Sequence, residues 1–216
     1  MLLANAMMMG GVLLPKFVAG SSAFDNDNIP LTINKPAGVQ AGDLLIFSAS
    51  TGEDNNTWST LSGWTELKDP NTPPNHVVAA KIAGSSEPSS YSFTPNGGED
   101  NFDKSGMMLA FRNAAYAGIG TQSLGTGGTT ATASSVTLDV GDTAIALFVS
   151  AQDDINASVP PSGWDLVLRS AFPSESRSHT LWAYSKSGAG ATGNAVLTYS
   201  NSGFSSAGVQ LKLSRG

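Results

Sequence analysis

Gly42-Asp43-Leu44-Leu45-Ile46-Phe47 and Gly141-Asp142-Thr143-Ala144-Ile145-Ala146-Leu147-Phe148 are one motif written twice in a chain of 216 residues. Each opens a matching series of landmarks. Gly63-Trp64, His76, Thr94 and Gly106 follow the first copy; Gly163-Trp164, His179, Thr198 and Gly208 follow the second. The closing strings also agree in character, Met107-Met108-Leu109-Ala110-Phe111-Arg112 against Val209-Gln210-Leu211-Lys212-Leu213. Gly-Asp to Gly-Trp spacing is nearly equal in the two copies, and later offsets differ by small insertions, as when loops drift on a kept scaffold. A duplication therefore organises the chain. Features present in both copies, the two histidines and the Gly-Trp pairs among them, are expected to serve the scaffold. A specific job is expected among features found once.

Outward from these motifs the pattern is of strands. Leu31 to Ile33, Leu44 to Ser50, Thr65 to Lys68, His76 to Ala83, Tyr91 to Thr94 and Met107 to Arg112 are short runs between Pro, Gly, Asn, Asp and Ser clusters. The second copy repeats them at Val136 to Val140, Thr143 to Ser150, Asp165 to Arg169, His179 to Ser185, Ala195 to Tyr199 and Gly208 to Leu213. No segment carries apolar residues at sustained helical spacing with caps. The reading is all-β: two tandem, internally duplicated β-sandwich, jelly-roll-like units. Residues 1–23 form an apolar arm, 24–117 the first unit and 118–216 the second, divided at the glycine-rich stretch 117–128. A single pseudo-twofold sandwich, with one half from each copy, is the alternative.

Composition excludes several function classes. Cysteine is absent, so there is no disulfide frame, thiolate metal site or cysteine nucleophile. Charged residues are 13% of the chain, about half the usual share. A net charge of −6 and a pI near 4.7, without a Lys/Arg cluster, argue against nucleic acid and anionic lipid.

The start of the chain differs from the rest. Met1 to Leu14 is almost wholly apolar, with Met1, Leu2, Leu3, Met7, Met8, Met9, Val12, Leu13 and Leu14 as candidate docking residues and Asn5 as the one clearly polar side chain. It is shorter than the ~20 apolar residues of a membrane-spanning helix. A secretory signal needs its positive charge before the apolar run, and Lys16 follows it. The arm either folds onto its own domain or docks on a neighbouring subunit.

Pro36-Ala37-Gly38-Val39-Gln40-Ala41-Gly42-Asp43-Leu44-Leu45-Ile46, then Gly63-Trp64-Thr65, Val77 to Lys81, Glu87-Pro88, Tyr91 to Thr94 and Leu109 to Arg112, resembles a module of tailed-bacteriophage structural proteins. Similar modules occur in bacterial surface proteins. The resemblance covers Leu31 to Asn113 well and the second copy loosely: Val140-Gly141-Asp142 lacks the Pro-Ala-Gly-Val string, and nothing there matches Glu87-Pro88. It implies a virion component of the tail, fibre or baseplate, or a head-decoration protein. Such proteins assemble with other virion proteins and are often homo-oligomers, trimers among them. It supplies no active site.

Single-copy and acidic features complete the candidates. Neither a Gly-x-Ser-x-Gly elbow nor a placed pair of carboxylates stands out, so a non-enzymatic protein without a cofactor is expected. Asp25 to Asn28, Glu53-Asp54-Asn55-Asn56, Glu99 to Asp103 and Asp153-Asp154 are oxygen-rich clusters on expected turns, where Asx side chains satisfy local backbone without a metal. Asp54 with Asp153 or Asp154 is the best place for an ion, since the two loops correspond. Trp64 and Trp164 repeat and are expected in the core, whereas Trp58 has no counterpart. Trp58 either folds back on its own domain or, beside Glu53, Asp54 and Asn55, stacks on a host-surface glycan or anchors a partner.

Overall fold

The computed structural model describes residues 13–25, 30–51, 57–59, 62–96, 103–151, 158–172, 179–199 and 205–216. They form antiparallel sheets, with no helix among them. The first half holds β1 (Lys16–Asp25), β2 (Leu31–Asn34), β3 (Leu44–Ser50), β4 (Thr57–Trp58), β5 (Thr65–Lys68), β6 (His76–Ile82), β7 (Ser90–Phe93), β8 (Pro95–Asn96) and β9 (Lys104–Arg112). The second holds β10 (Ala114–Ile119), β11 (Ser123–Thr126), β12 (Thr130–Ala133), β13 (Thr137–Leu138), β14 (Thr143–Ala151) and β15 (Ser158–Val159). It ends with β16 (Asp165–Phe172), β17 (His179–Ser187), β18 (Gly190–Ala191), β19 (Ala195–Tyr199) and β20 (Ser205–Arg215).

Two main sheets have the same order. One runs β1-β9-β3-β6-β5, the other β10-β20-β14-β17-β16, with β11 continuing β10 along β20. The match extends to irregularities. β1 shifts register at Val18 and β10 at Ala117, the same step relative to Phe111 and Leu213 on the neighbouring strand. β5 shifts at Leu67 and β16 at Val167, each three residues after its Gly-Trp tryptophan. A bulge twists its strand locally, so bulges at equivalent positions give both sheets equivalent curvature.

The main sheets pack face to face. The largest core draws on both halves: Leu44, Ile46, Val78, Leu109 and Phe111 interleave with Ile145, Leu147, Leu181, Val209 and Leu211. β1 lies over β16, β9 over β17 and β3 over β14. At the first crossing a Cβ on Gly20 would come within 2.8 Å of the Leu168 side chain. Side chains of opposite parity, Leu45 and Phe47 or Ala146 and Phe148, point outward into two smaller cores. These are covered by β2 with β7 on one side and by β12 with β19 on the other. Burial on both faces explains why all seven residues of β3 are buried and why its sequence does not alternate polar with apolar.

Three expectations change. Residues 16–23, read as the end of the arm, are part of β1: Phe17 packs on the central core and Val18 and Ala23 on the outer one. The chain crosses between the main sheets at Asn113, which has φ 55°, so 114–117 pair with the second sheet. The histidines are not register-equivalent. Counted from the Gly-Asp turns, Ser50 faces His76 while its counterpart Val149 faces Leu181, two positions past His179. The same count aligns Lys81 with Lys186, opposite Leu45 and Ala144.

The strands give the body two poles. Both Gly-Asp turns, both Gly-Trp turns, the start of β1 and the end of β20 lie at one pole; Leu14 reaches Gly141 there, 3.2 Å from a Cβ built on that glycine. The far ends of the main strands, at Asp25, Ser50, His76, Lys104, Ala151, Phe172, His179 and Ser205, lie at the opposite pole.

Candidate functional site

Trp58 shows how its own half is built. Its ring is 3% exposed and sits edge-on to Phe47, with centroids 5.9 Å apart. Phe47 stacks on Phe93 at 3.5 Å, and Trp64 meets Phe93 and Tyr91 edge-on at 5.5 and 5.4 Å. Trp58, Trp64, Phe47, Phe93 and Val77 border a crevice with room for about one water. A sugar ring does not fit it, and the Trp58 ring offers no outward face. Of the alternatives open for Trp58, the structure shows the one in which it folds back on its own half, as a core residue. Burial followed from neighbours distant in the chain, which the polar context of Trp58 could not reveal.

Trp58 is pinned through its backbone. Its N–H donates to Asp69 Oδ2 at 2.7 Å. Burial pushes the Asp69 carboxyl up to about 6; the Trp58 N–H opposes that and nearby Glu66 adds to it. Trp58 Nε1 and Asp69 Oδ1 are buried without a hydrogen-bond partner among the described residues. Glu53, Asp54 and Asn55 lie outside the described residues.

The nearest approach to a catalytic pair is one the sequence did not suggest. Ser48 Oγ lies 2.8 Å from His76 Nε2, inside the central core, with Ser48 1% exposed and His76 fully enclosed. Gln122, from the second half, places Nε2 3.0 Å from both His76 Nδ1 and the His76 carbonyl oxygen. A carbonyl only accepts, so the amide nitrogen faces the ring and Nδ1 must accept too. The imidazole proton then sits on Nε2 and is donated to Ser48. Burial drives the imidazole pKa down to about 3, keeping the ring neutral. A catalytic base needs the reverse: a free Nε2 lone pair toward the serine and an acceptor at Nδ1. The Ser48–His76–Gln122 chain is therefore a polar tie between the halves.

That tie breaks the internal symmetry. Its counterparts are Leu147 and Leu181, both in the central core. Gln122 exists because the second copy has three residues, Gly120 to Gln122, where β1 has two, Ser21 and Ser22, between matched pairings to the last strand. The asymmetry is reversed at Gln210. It is fully buried, donating to the carbonyls of Ala133 and Gly193 at 2.9 Å and accepting from Thr192 at 2.6 Å, where the first half has Met108.

At the terminal pole the Gly-Asp motif forms the same device twice. Gly42 and Gly141 have φ of +89° and +91°, which favour glycine. Asp43 accepts from the Gln40 N–H at 2.8 Å and Asp142 from the Asp139 N–H at 2.9 Å. Each carboxylate then takes a cation from the last strand of its sheet, Arg112 in two-pronged contact at 3.0 and 2.9 Å or Lys212 at 2.9 Å. Burial works to raise both carboxyls, but these partners outweigh it and hold them below the ordinary value. Nearby, Glu87 accepts from Lys81 at 2.8 Å, from Tyr91 and from the Gly84 N–H, while Lys186 donates to the Thr192 carbonyl. These groups are all satisfied internally and close turns.

Of the arm, Leu13 and Leu14 are described, 66% and 53% exposed. Met1, Leu2, Leu3, Met7, Met8, Met9 and Val12 lie outside the described residues, as do Asp153 and Asp154. Among the described residues no group of three or more His, Asp or Glu could hold a metal. No helix there is long and apolar enough to cross a membrane.

No family model matches the chain, no curated protein matches it, and no solved structure does.

Proposed function

We propose that this chain is a non-enzymatic structural subunit of a tailed-bacteriophage virion, in the tail, fibre or baseplate in preference to head decoration. The observation that carries this reading is the exposure of Leu13 and Leu14 beside the first strand, directly after the apolar run Met1 to Val12. A rigid all-β body entered by an apolar segment suits a subunit held by its neighbours. The resemblance of Pro36 to Ile46 and Leu109 to Arg112 to phage modules supplies the particle. The two-sided burial of both main sheets supplies the rigidity.

The test is compositional. Purified particles of the phage that encodes the chain should contain it at a fixed copy number, and deletion of residues 1–14 should remove it from them. A chain absent from particles refutes the reading; normal incorporation without 1–14 refutes the role of the arm. Recognition of a host-surface glycan is the alternative role, and it does not rest on the Trp58 ring, which is enclosed.

A further inference from the structure

The edge of a sheet accepts another strand unless shortness, a charge, a proline, a bulge or a cover blunts it. Three outer edges of the main sheets carry such devices. β5 is four residues long, bulged at Leu67 and charged at Glu66 and Lys68. β16 is bulged at Val167, between Asp165 and Arg169. β10 is bulged at Ala117, and its edge breaks before β11, where Gln122 bridges to Ala133 of β12. The remaining edge, β1, is different. Its bulge at Val18 lies near its start, and Ala19 to Asp25 then run in unbroken register with Ala110 to Lys104. No charge and no proline falls between Lys16 and Asp25. Among the described residues no strand pairs with the outer side of β1, and Ser22 in its middle is exposed.

The ends of the strand select its partner. Lys16 is exposed and faces a like charge, Arg112, within its own sheet, while Asp25 stands at the other end. Laid antiparallel along a second copy of itself at full overlap, β1 brings Lys16 of each strand beside Asp25 of the other. A parallel arrangement would set Lys16 on Lys16 and Asp25 on Asp25. Opposite charges at cross-strand positions attract and like charges repel, so the antiparallel pairing is favoured. Between the ends, Ala19, Gly20, Ser21, Ser22 and Ala23 are small, and no bulky side chain stands where the two-fold axis would pass. Such a pairing uses the same strand on both partners and closes at two copies.

We propose that β1 is a self-association edge, on which two copies of the chain pair their first strands antiparallel and join their five-stranded sheets into one continuous sheet. Main-chain hydrogen bonds hold the contact, as in strand addition generally. The inference concerns the chain alone and does not rest on its place in a particle.

Sedimentation of the full chain over roughly 1–100 μM tests this, a range that brackets micromolar association. The expected result is twice the chain mass at the upper end. Ser22→Lys, which puts two ammonium groups near the two-fold axis, should weaken association at least ~10-fold. Thr65→Lys, at an exposed position on the far edge of the same sheet, should leave it unchanged. Amide hydrogen exchange at the outward-facing positions among Ala19 to Ala23 should slow as protein concentration rises. Unchanged tryptophan fluorescence from the buried Trp58, Trp64, Trp164 and Trp182 shows that the variants fold. Single-chain mass throughout overturns the proposal, as does a folded Ser22→Lys chain that assembles like wild type. Equal weakening by Thr65→Lys, or an oligomer whose β1 amides exchange at a rate independent of concentration, overturns it too.

Discussion

Replacing His76 by leucine copies what the second half already does with Leu181, and its effect on stability should depend strongly on pH. In the folded chain burial holds the His76 pKa near 3, against an ordinary value of 6.5. The unfolded chain therefore binds one more proton at this site between those values. The stabilisation is fully present above pH 6.5 and is lost as pH falls toward 3, with a slope of about 1.4 kcal/mol per pH unit. From pH 6 to pH 4 this amounts to roughly 2–3 kcal/mol. At pH 7 the His76→Leu variant should be less stable by about 1–3 kcal/mol, because the buried Ser48 hydroxyl loses its partner. Its deficit should then shrink or reverse by pH 4. Asp69 acts in the opposite sense: its carboxyl, raised to about 6, makes folding less favourable as pH rises from about 4 to 6. Both chains retain Asp69, so it cancels in the comparison. Urea unfolding followed by tryptophan fluorescence at half-unit steps from pH 4 to 7 gives the difference directly. Parallel wild-type and variant curves would refute the buried, neutral assignment of His76.

Gly208→Ala should destabilise by ~3 kcal/mol or more and Gly106→Ala by less, although the two glycines are counterparts. A Cβ at Gly208 would lie 2.5 Å from the backbone oxygen of Thr132, while one at Gly106 meets the side-chain ends of Leu31 and Ile33 at 2.8 and 2.9 Å. Chemical denaturation of the two variants checks the order. Gln210→Met, which copies Met108, should cost about 1–3 kcal/mol by removing the amide that donates to the Ala133 and Gly193 carbonyls; a neutral result would show that water replaces the amide. Trp58→Ala should lower stability by ~3–5 kcal/mol through the cavity left beside Phe47. Loss of glycan binding in that variant would thus be interpretable only alongside its unfolding curve.

The internal repeat was legible because its marks are local. A glycine with positive φ before an aspartate that caps its own turn, and a Gly-Trp at the head of a bulged edge strand, must be written in the sequence wherever they occur. Strand positions were equally legible from turn residues and β-branched or aromatic runs. Register was not. His76 and His179 both open a strand, yet β14 and β17 run two residues further than β3 and β6, and only the pairing shows that Leu181 is the counterpart of His76. Lys81 and Lys186 escaped notice as a pair for the same reason. β1 was missed because an edge strand's place depends on the partner it joins, and β9 lies some 80 residues away in sequence.

By itself, then, the amino-acid sequence determined the all-β class, the doubled pattern, the turn chemistry and the separation of an apolar start from acid-rich connections, since each depends on neighbours in the chain. Only the tertiary structure decided that the two main sheets share one core, that Trp58 faces inward and that Ser48, His76 and Gln122 meet. Those outcomes depend on which faces pack together, and a strand buried on both faces carries no alternation to say which side meets which neighbour.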